Sequence, residues 1–154
     1  MNDSASYVKV SDVAFIEFSG SQPHLLTALF HQLGFTNSAC HLSDAKTLHY
    51  QGNIHFISNP TAGGNAEVFR GVHVRGASAM GFKVADSNAA FAQAVALGAT
   101  PATLKDYDIP AIKGVGQSLI YLVDDAHEKA LFAEFGYSKK VAQNEQTCLG
   151  RINH

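Results

Sequence analysis

The sequence predicts an α+β fold made of two tandem β-α-β-β-β modules in one domain, and three observations carry that prediction. A strand-like apolar run, an amphipathic helix and three further strand-like runs occur twice in the same order. The phrase Leu33-Gly34-Phe35-Thr36 returns as Leu97-Gly98-Ala99-Thr100, a shift of 64 positions. The chain has 154 residues, 46% of them hydrophobic and 16% charged, which suits a single core-forming unit.

The first module is read over residues 12–60. It opens with the apolar run Val13-Ala14-Phe15-Ile16-Glu17-Phe18, ended by Ser19-Gly20-Ser21. Leu25, Leu26, Leu29, Phe30 and Leu33 recur at helical spacing. Ser21 is the candidate cap, Pro23 suits the first turn, and Gly34 marks the stop. Strands follow at residues 36–42, 46–51 and 54–58, the last two joined by Gly52-Asn53, a two-residue hairpin signature.

The second module is read over residues 77–125. It opens with Ala79-Met80-Gly81-Phe82-Lys83-Val84 and continues with a helix built on Ala90, Phe91, Ala94, Val95 and Leu97, stopped by Gly98. Strands are expected at 102–104, 108–112 and 118–123. One helix and four short strands cannot cover both faces of a sheet, so the modules are expected to pack together. Residues 61–76, with Gly63-Gly64, read as the connector; residues 129–137 fit either a strand or a helix; residues 141–154 read as a linker.

Several classes are excluded. A net charge of −2 lacks the basic balance that nucleic acid requires. No run of 18 apolar residues exists to form a membrane helix. Residues 1–6 lack the basic and apolar regions of a signal peptide. Cys40 and Cys148 lie far apart, without CxxC spacing, and are expected as reduced thiols in the cytoplasm.

Four stretches carry a resemblance. They are Asp12-Val-Ala-Phe-Ile-Glu-Phe18, Tyr50-Gln-Gly-Asn-Ile-His-Phe56, Gly71-Val-His-Val-Arg-Gly-Ala-Ser-Ala-Met-Gly-Phe82 and Ile109-Pro-Ala-Ile-Lys-Gly-Val-Gly-Gln-Ser-Leu-Ile-Tyr-Leu-Val-Asp124. The paired modules resemble the vicinal oxygen chelate superfamily, whose strands curl into an incomplete, barrel-like sheet around a cavity. The stretches are similar to the amino-terminal domain of the 4-hydroxyphenylpyruvate dioxygenase family, a plan that hydroxymandelate synthases share.

The resemblance implies an Fe(II) cofactor in the parent enzyme, held by two histidines and one carboxylate with open positions for a 2-oxo acid and oxygen. It implies an oxidoreductase of tyrosine catabolism that forms homogentisate. In this chain the superfamily's metal positions fall at Val13 and Ala79, and residues 53–58 and 118–123 contain no Glu. No cofactor is therefore expected here, and no catalytic residue. Leu149-Gly150-Arg151-Ile152-Asn153-His154 resembles the opening strand of the family's carboxy-terminal domain, with His154 at its first iron ligand. A lone imidazole holds no iron, because such sites need converging ligands. The implied partners are that catalytic domain and further copies of the same subunit in a homo-oligomer. The alternative is a stand-alone, metal-free small-molecule binder of the bleomycin-resistance type.

Other candidates have plainer readings. With the Gly52-Asn53 turn, His49 pairs with Phe56 and His55 with Tyr50, so the two imidazoles point to opposite faces and share no metal. His41 sits on the neighbouring run, and Cys40 faces away from it. Glu17 shares a face with Val13 and Phe15; buried there, it must find a partner or a proton, and a structural hydrogen bond is favoured over a ligand-binding role. Residues 113–118, Lys-Gly-Val-Gly-Gln-Ser, lack phosphate-loop spacing and read as a turn.

Overall fold

The computed structural model describes residues 7–139 and 149–152. Seven strands form one mixed sheet in the order β2-β3-β4-β1-β5-β7-β6. The elements are β1 (Asp12–Gly20), α1 (Pro23–Gln32), β2 (Asn37–Cys40), β3 (Thr47–Gln51), β4 (Ile54–Ser58), α2 (Asn65–His73), β5 (Arg75–Lys83), α3 (Ser87–Ala96), β6 (Ala111–Lys113), β7 (Leu119–Val123) and α4 (Asp125–Ala133). The antiparallel β1–β5 pair joins the modules, and each module repeats one plan. Its first strand lies parallel to its last, β1 with β4 and β5 with β7. The sheet is open and not a closed barrel.

Strand alternation sorts the side chains between two faces. Phe15, Ile57 and Tyr121 join the principal core with Leu131 and Phe132 of α4 and with Tyr107 and Ile109 of the loop before β6. On the opposite face, α1 packs Leu26 and Phe30 against Phe35, Ile54 and Phe56, and α3 packs Ala90 and Ala94 against Leu122 and Val84.

The structure departs from the sequence reading in three places. Residues 61–76 were expected as a bare connector, but hold α2. Its buried face is Ala66 and Phe69, and Phe69 lies against Gly76, where an added Cβ would meet the ring at 3.3 Å. Residues 102–104 form no strand, and the expected strand at 108–112 shortens to β6. The second module is thus β-α-β-β, and its outer strand is reduced to the bridge Pro101↔Ile112. Pro101 has no N–H to donate to a ladder. The chain beyond it is drawn inward instead, where Asp106 N–H donates to Tyr121 OH at 2.9 Å. The ambiguous stretch 129–137 begins as helix: α4 starts at Asp125 and ends at Ala133, capped by Asp124, which accepts from His127 N–H at 2.9 Å.

Close packing across the module boundary yields one prediction. A Cβ on Gly81 would stand 2.6 Å from Cδ1 of Phe15 and closer still to Cε1. Gly81→Ala is expected to destabilise by about 1–3 kcal/mol through overpacking. That corresponds to a melting temperature lowered by roughly 3–10 °C, read by thermal unfolding.

Candidate functional site

The most chemically loaded part of the molecule is a buried polar cluster on the face beneath α2 and α4, centred on Glu17. Glu17 is fully buried and receives three hydrogen bonds. Asn59 Nδ2 donates at 2.9 Å, Ser78 Oγ at 2.5 Å and Tyr107 OH at 2.5 Å. Each donor is placed by a local irregularity. Asn59 follows β4, its N–H donating to Phe18 O at 2.9 Å, and its Oδ1 accepts from Thr61 N–H and Oγ1 at 3.0 and 2.6 Å. Those two bonds fix the amide so that its NH2 faces Glu17. Ser78 is the extra residue of a bulge, where β1 advances from Glu17 to Phe18 while β5 passes from Ala79 to Ala77. Tyr107 comes from the loop that replaced the missing strand, and its ring meets Phe15 and Tyr121 edge-on at 5.6 and 5.2 Å.

A second tier encloses this core. Arg70 of α2 donates to Ser19 Oγ (2.7 Å), Asn59 O (2.9 Å) and Thr61 O (2.7 Å). Asp106 accepts from Ala66 N–H at 3.0 Å, at the first turn of α2. Lys46 stands 5.5 Å from the Tyr107 ring centre and pairs with Asp44 at 2.6 Å. Among the described residues no cation pairs with Glu17. Burial and then the nearby Asp106 charge raise its pKa to about 7, and the Ser78, Tyr107 and Asn59 donors only partly oppose them. Burial and the adjacent Glu17 push the Tyr107 phenol up as well. The cluster can therefore hold a proton near neutrality, but the rings of Phe15, Tyr107 and Tyr121, all buried, fill the space around it.

Phe15 and Glu17 share a face as expected, whereas Val13 is separated from them by a register shift between Val13 and Phe15. Val13 and Ala79 are both buried and offer no donor atom where a superfamily metal would bind. His55 on β4 is committed elsewhere, its Nε2 lying 3.0 Å from Tyr137 OH and its ring against Phe132. The described residues at these positions do not fit an iron centre, and no group of three metal-capable side chains occurs among the described residues.

The remaining histidines separate as the hairpin register requires. His49 pairs with Phe56 and His55 with Tyr50. His49 packs on the Phe30 ring of α1 at 5.2 Å, on the face opposite His55. His41 lies at the end of β2, its Nε2 donating to Glu134 at 3.0 Å and its Nδ1 accepting from Ser43 and Asp44 N–H at 3.2 Å. Residues 115–117 form a single turn between β6 and β7, and no helix follows them to hold phosphate. Cys40 is an exposed thiol. His154, Asn153, Cys148 and most of the expected linker lie outside the described residues.

Of this cluster, sequence reading singled out Glu17 alone. Asn59, Ser78, Asp106 and Tyr107 sit at a strand end, a bulge and a loop, where no periodicity marks them. The one available signal was Glu17 itself, a charge inside an apolar strand that required buried donors from elsewhere.

Comparisons with known proteins agree with this geometry. Residues 7–138 match the family described as hydroxyphenylpyruvate dioxygenase, HPPD, N-terminal. The chain is 37% identical over 145 residues to a 4-hydroxyphenylpyruvate dioxygenase of Legionella pneumophila, covering 92% of this chain and 42% of that protein. Among solved structures it resembles a xylose isomerase-like TIM barrel/4-hydroxyphenylpyruvate dioxygenase fusion protein, with a TM-score of 0.70 and 25% identity over 77% of this chain and 20% of that one. It shares its fold with a mutant 4-hydroxymandelate synthase from Streptomyces coelicolor, with a TM-score of 0.62 and 19% identity over 75% of this chain and 38% of that one. The chain thus spans less than half the length of the curated relative.

Proposed function

We propose that this chain, which belongs to the hydroxyphenylpyruvate dioxygenase amino-terminal domain family, is the non-catalytic half of a 4-hydroxyphenylpyruvate dioxygenase and supports a catalytic half that lies beyond it. In this reading Fe(II) and its ligands belong to that other half, with His154 as the first of them. The parent enzyme adds oxygen to 4-hydroxyphenylpyruvate in tyrosine breakdown, in the cytoplasm and as a homo-oligomer. The domain described here supplies a rigid platform and subunit contacts.

One observation carries the reading. The interior that a superfamily enzyme would use for metal and substrate is filled by Glu17, Phe15, Tyr107 and Tyr121, with every donor around Glu17 already engaged within the chain. Such packing favours support over turnover. It also disfavours the stand-alone binder, because buried side chains take up the space around Glu17.

The test is a chimera in which residues 7–138 replace the matching part of the Legionella relative. Chelator-sensitive oxygen uptake with Fe(II) and 4-hydroxyphenylpyruvate is expected, comparable in kind to that of the relative. A folded but inactive chimera would count against the supporting role.

A further inference from the structure

The internal repeat provides its own control for what the fold requires of each helix. Shifting by 64 positions aligns the buried residues Leu26 and Phe30 of α1 with Ala90 and Ala94 of α3, all four facing the sheet. The same shift aligns the outward residues Leu25, Leu29 and Leu33 with Ala89, Gln93 and Leu97. Neither helix contains Asp, Glu, Lys or Arg. They differ in apolar bulk on the outside: α1 and its C-cap residue Leu33 present three leucines spaced by four residues, 43%, 48% and 48% exposed. The fold does not demand them, since α3 performs the same packing role with Ala and Gln at two of the three positions. A leucine stripe of this kind on a soluble surface marks a contact surface.

The stripe continues into a groove. Leu25, Leu26 and Leu29 line a cavity of about 630 Å³ with Gly20, Val74 and Arg75. Val74 is 64% exposed and holds φ at +61°, a left-handed conformation in which a β-branched residue is a genuine outlier. Its carbonyl is tied by Ser21 N–H at 3.3 Å.

The end of the described chain indicates the occupant. Gln51 Nε2 donates to Leu33 O at 3.2 Å, while its Oε1 accepts from Leu149 N–H at 3.0 Å. Asn53 N–H donates to Gly150 O at 3.1 Å. Ile152 then packs against the cluster of Leu26, Phe30, Phe35 and Ile54. The departing polypeptide is thus fastened beside the carboxy-terminal end of α1, at the foot of the stripe. The curated relative is more than twice the matched length, and the matched family is an amino-terminal one.

We propose that Leu25, Leu29, Leu33 and the Val74 groove form the surface on which the polypeptide following this domain docks in full-length family members. The proposal rests on the reading of this chain as the amino-terminal half of a longer enzyme, and its occupant is that enzyme's own remaining half, not a second copy of this domain.

Thiol labelling tests it, in the 154-residue chain with Cys40→Ser and Cys148→Ser as background and in the chimera with Cys40→Ser and any cysteines of the Legionella part replaced by Ser. Leu29→Cys places a reporter on the stripe, and Ala89→Cys places one on the exposed side of α3, at the position equivalent to Leu25. A maleimide probe is expected to label Leu29→Cys in the chimera at least about tenfold more slowly than in the chain alone, because a covered thiol reacts only through local openings. Ala89→Cys should label equally fast in both. Equal labelling of Leu29→Cys in both proteins would overturn the proposal. So would protection in the chain alone that grows with its concentration and is no greater in the chimera, since that assigns the stripe to a second copy. Hydrogen–deuterium exchange of the α1 amides in the unsubstituted chimera repeats the test without substitution at the stripe. Oxygen uptake is read separately: an inactive chimera with a protected stripe rejects the supporting function and keeps the docking surface, and an active chimera with a freely labelled stripe does the reverse.

Discussion

Glu17→Ala is expected to cost about 3–5 kcal/mol of folding stability, the scale on which breaking a buried hydrogen-bonded network operates. The reason is not the lost side chain alone. Asn59 Nδ2, Ser78 Oγ and Tyr107 OH would all lose the carboxylate they donate to, and each belongs to a different irregular segment that Glu17 holds in place. Chemical denaturation measures the loss, and a fall below about 1 kcal/mol would show that the cluster relaxes freely.

Glu17→Gln separates shape from charge. In the native protein burial raises the Glu17 pKa to about 7, so the folded state keeps a proton that an unfolded carboxyl has already released. This contribution is complete below the unfolded pKa and is lost as pH rises through about 7. His49 and His55 act in the opposite direction. Burial lowers their pKa values to about 4 and about 3, so their contribution is present above the ordinary imidazole pKa and is lost as pH falls through those values. Two imidazoles outweigh one carboxyl below about pH 6.5, so the native protein should lose stability in acid and show a nearly flat profile around pH 7. Glu17→Gln should remove the contribution that opposes the histidines and so make the acid decline steeper. The stability difference between the two proteins should shift by about 3 kcal/mol in favour of Glu17→Gln between pH 4.5 and 7. Denaturation midpoints across that range decide it; parallel pH profiles would contradict the assignment.

The second large effect is expected on the other face of the sheet. Phe30→Ala should destabilise by about 3–5 kcal/mol, the usual range for deleting a buried aromatic ring. Phe30 is 2% exposed and contacts the rings of Phe18, Phe35, His49 and Phe56, with centroids 5.2 to 6.2 Å apart. It is the main side chain joining α1 to the sheet. Its removal would also open space beside His49, whose two ring nitrogens have no hydrogen-bond partner among the described residues. Water entering there would relieve the imidazole and return its pKa toward the ordinary value, so Phe30→Ala should also make the acid limb of the stability curve shallower. A loss of stability with an unchanged acid limb would mean that the site collapses dry.

How much of this was legible beforehand depended on how local the cause was. The Gly52-Asn53 turn fixed the β3–β4 register, and with it the opposite facing of His49 and His55, because a two-residue loop leaves no freedom. The apolar spacing of α1 and the repeat at 64 positions exposed the module plan for the same reason. Glu17 could be placed on its face by strand alternation, but its partners could not. Ser78 reaches it through a bulge, and Tyr107 through a loop that abandons the sheet edge after Pro101, both decided by tertiary packing. Helix α2 was hidden because Gly63-Gly64 read as a flexible connector, although Ala66 and Phe69 already lay three residues apart on one helical face. The leucine stripe was visible as helical periodicity; only the fold showed that Leu25, Leu29 and Leu33 lie on the outside while Leu26 and Phe30 face the core.

The most direct test of the supporting role is oxygen uptake by the purified 154-residue chain with added Fe(II) and 4-hydroxyphenylpyruvate, with and without chelator. No uptake above that of the same mixture without protein is expected. Chelator-sensitive uptake by this chain alone would contradict that role, and would mean that side chains assigned here to structure assemble an iron centre of their own.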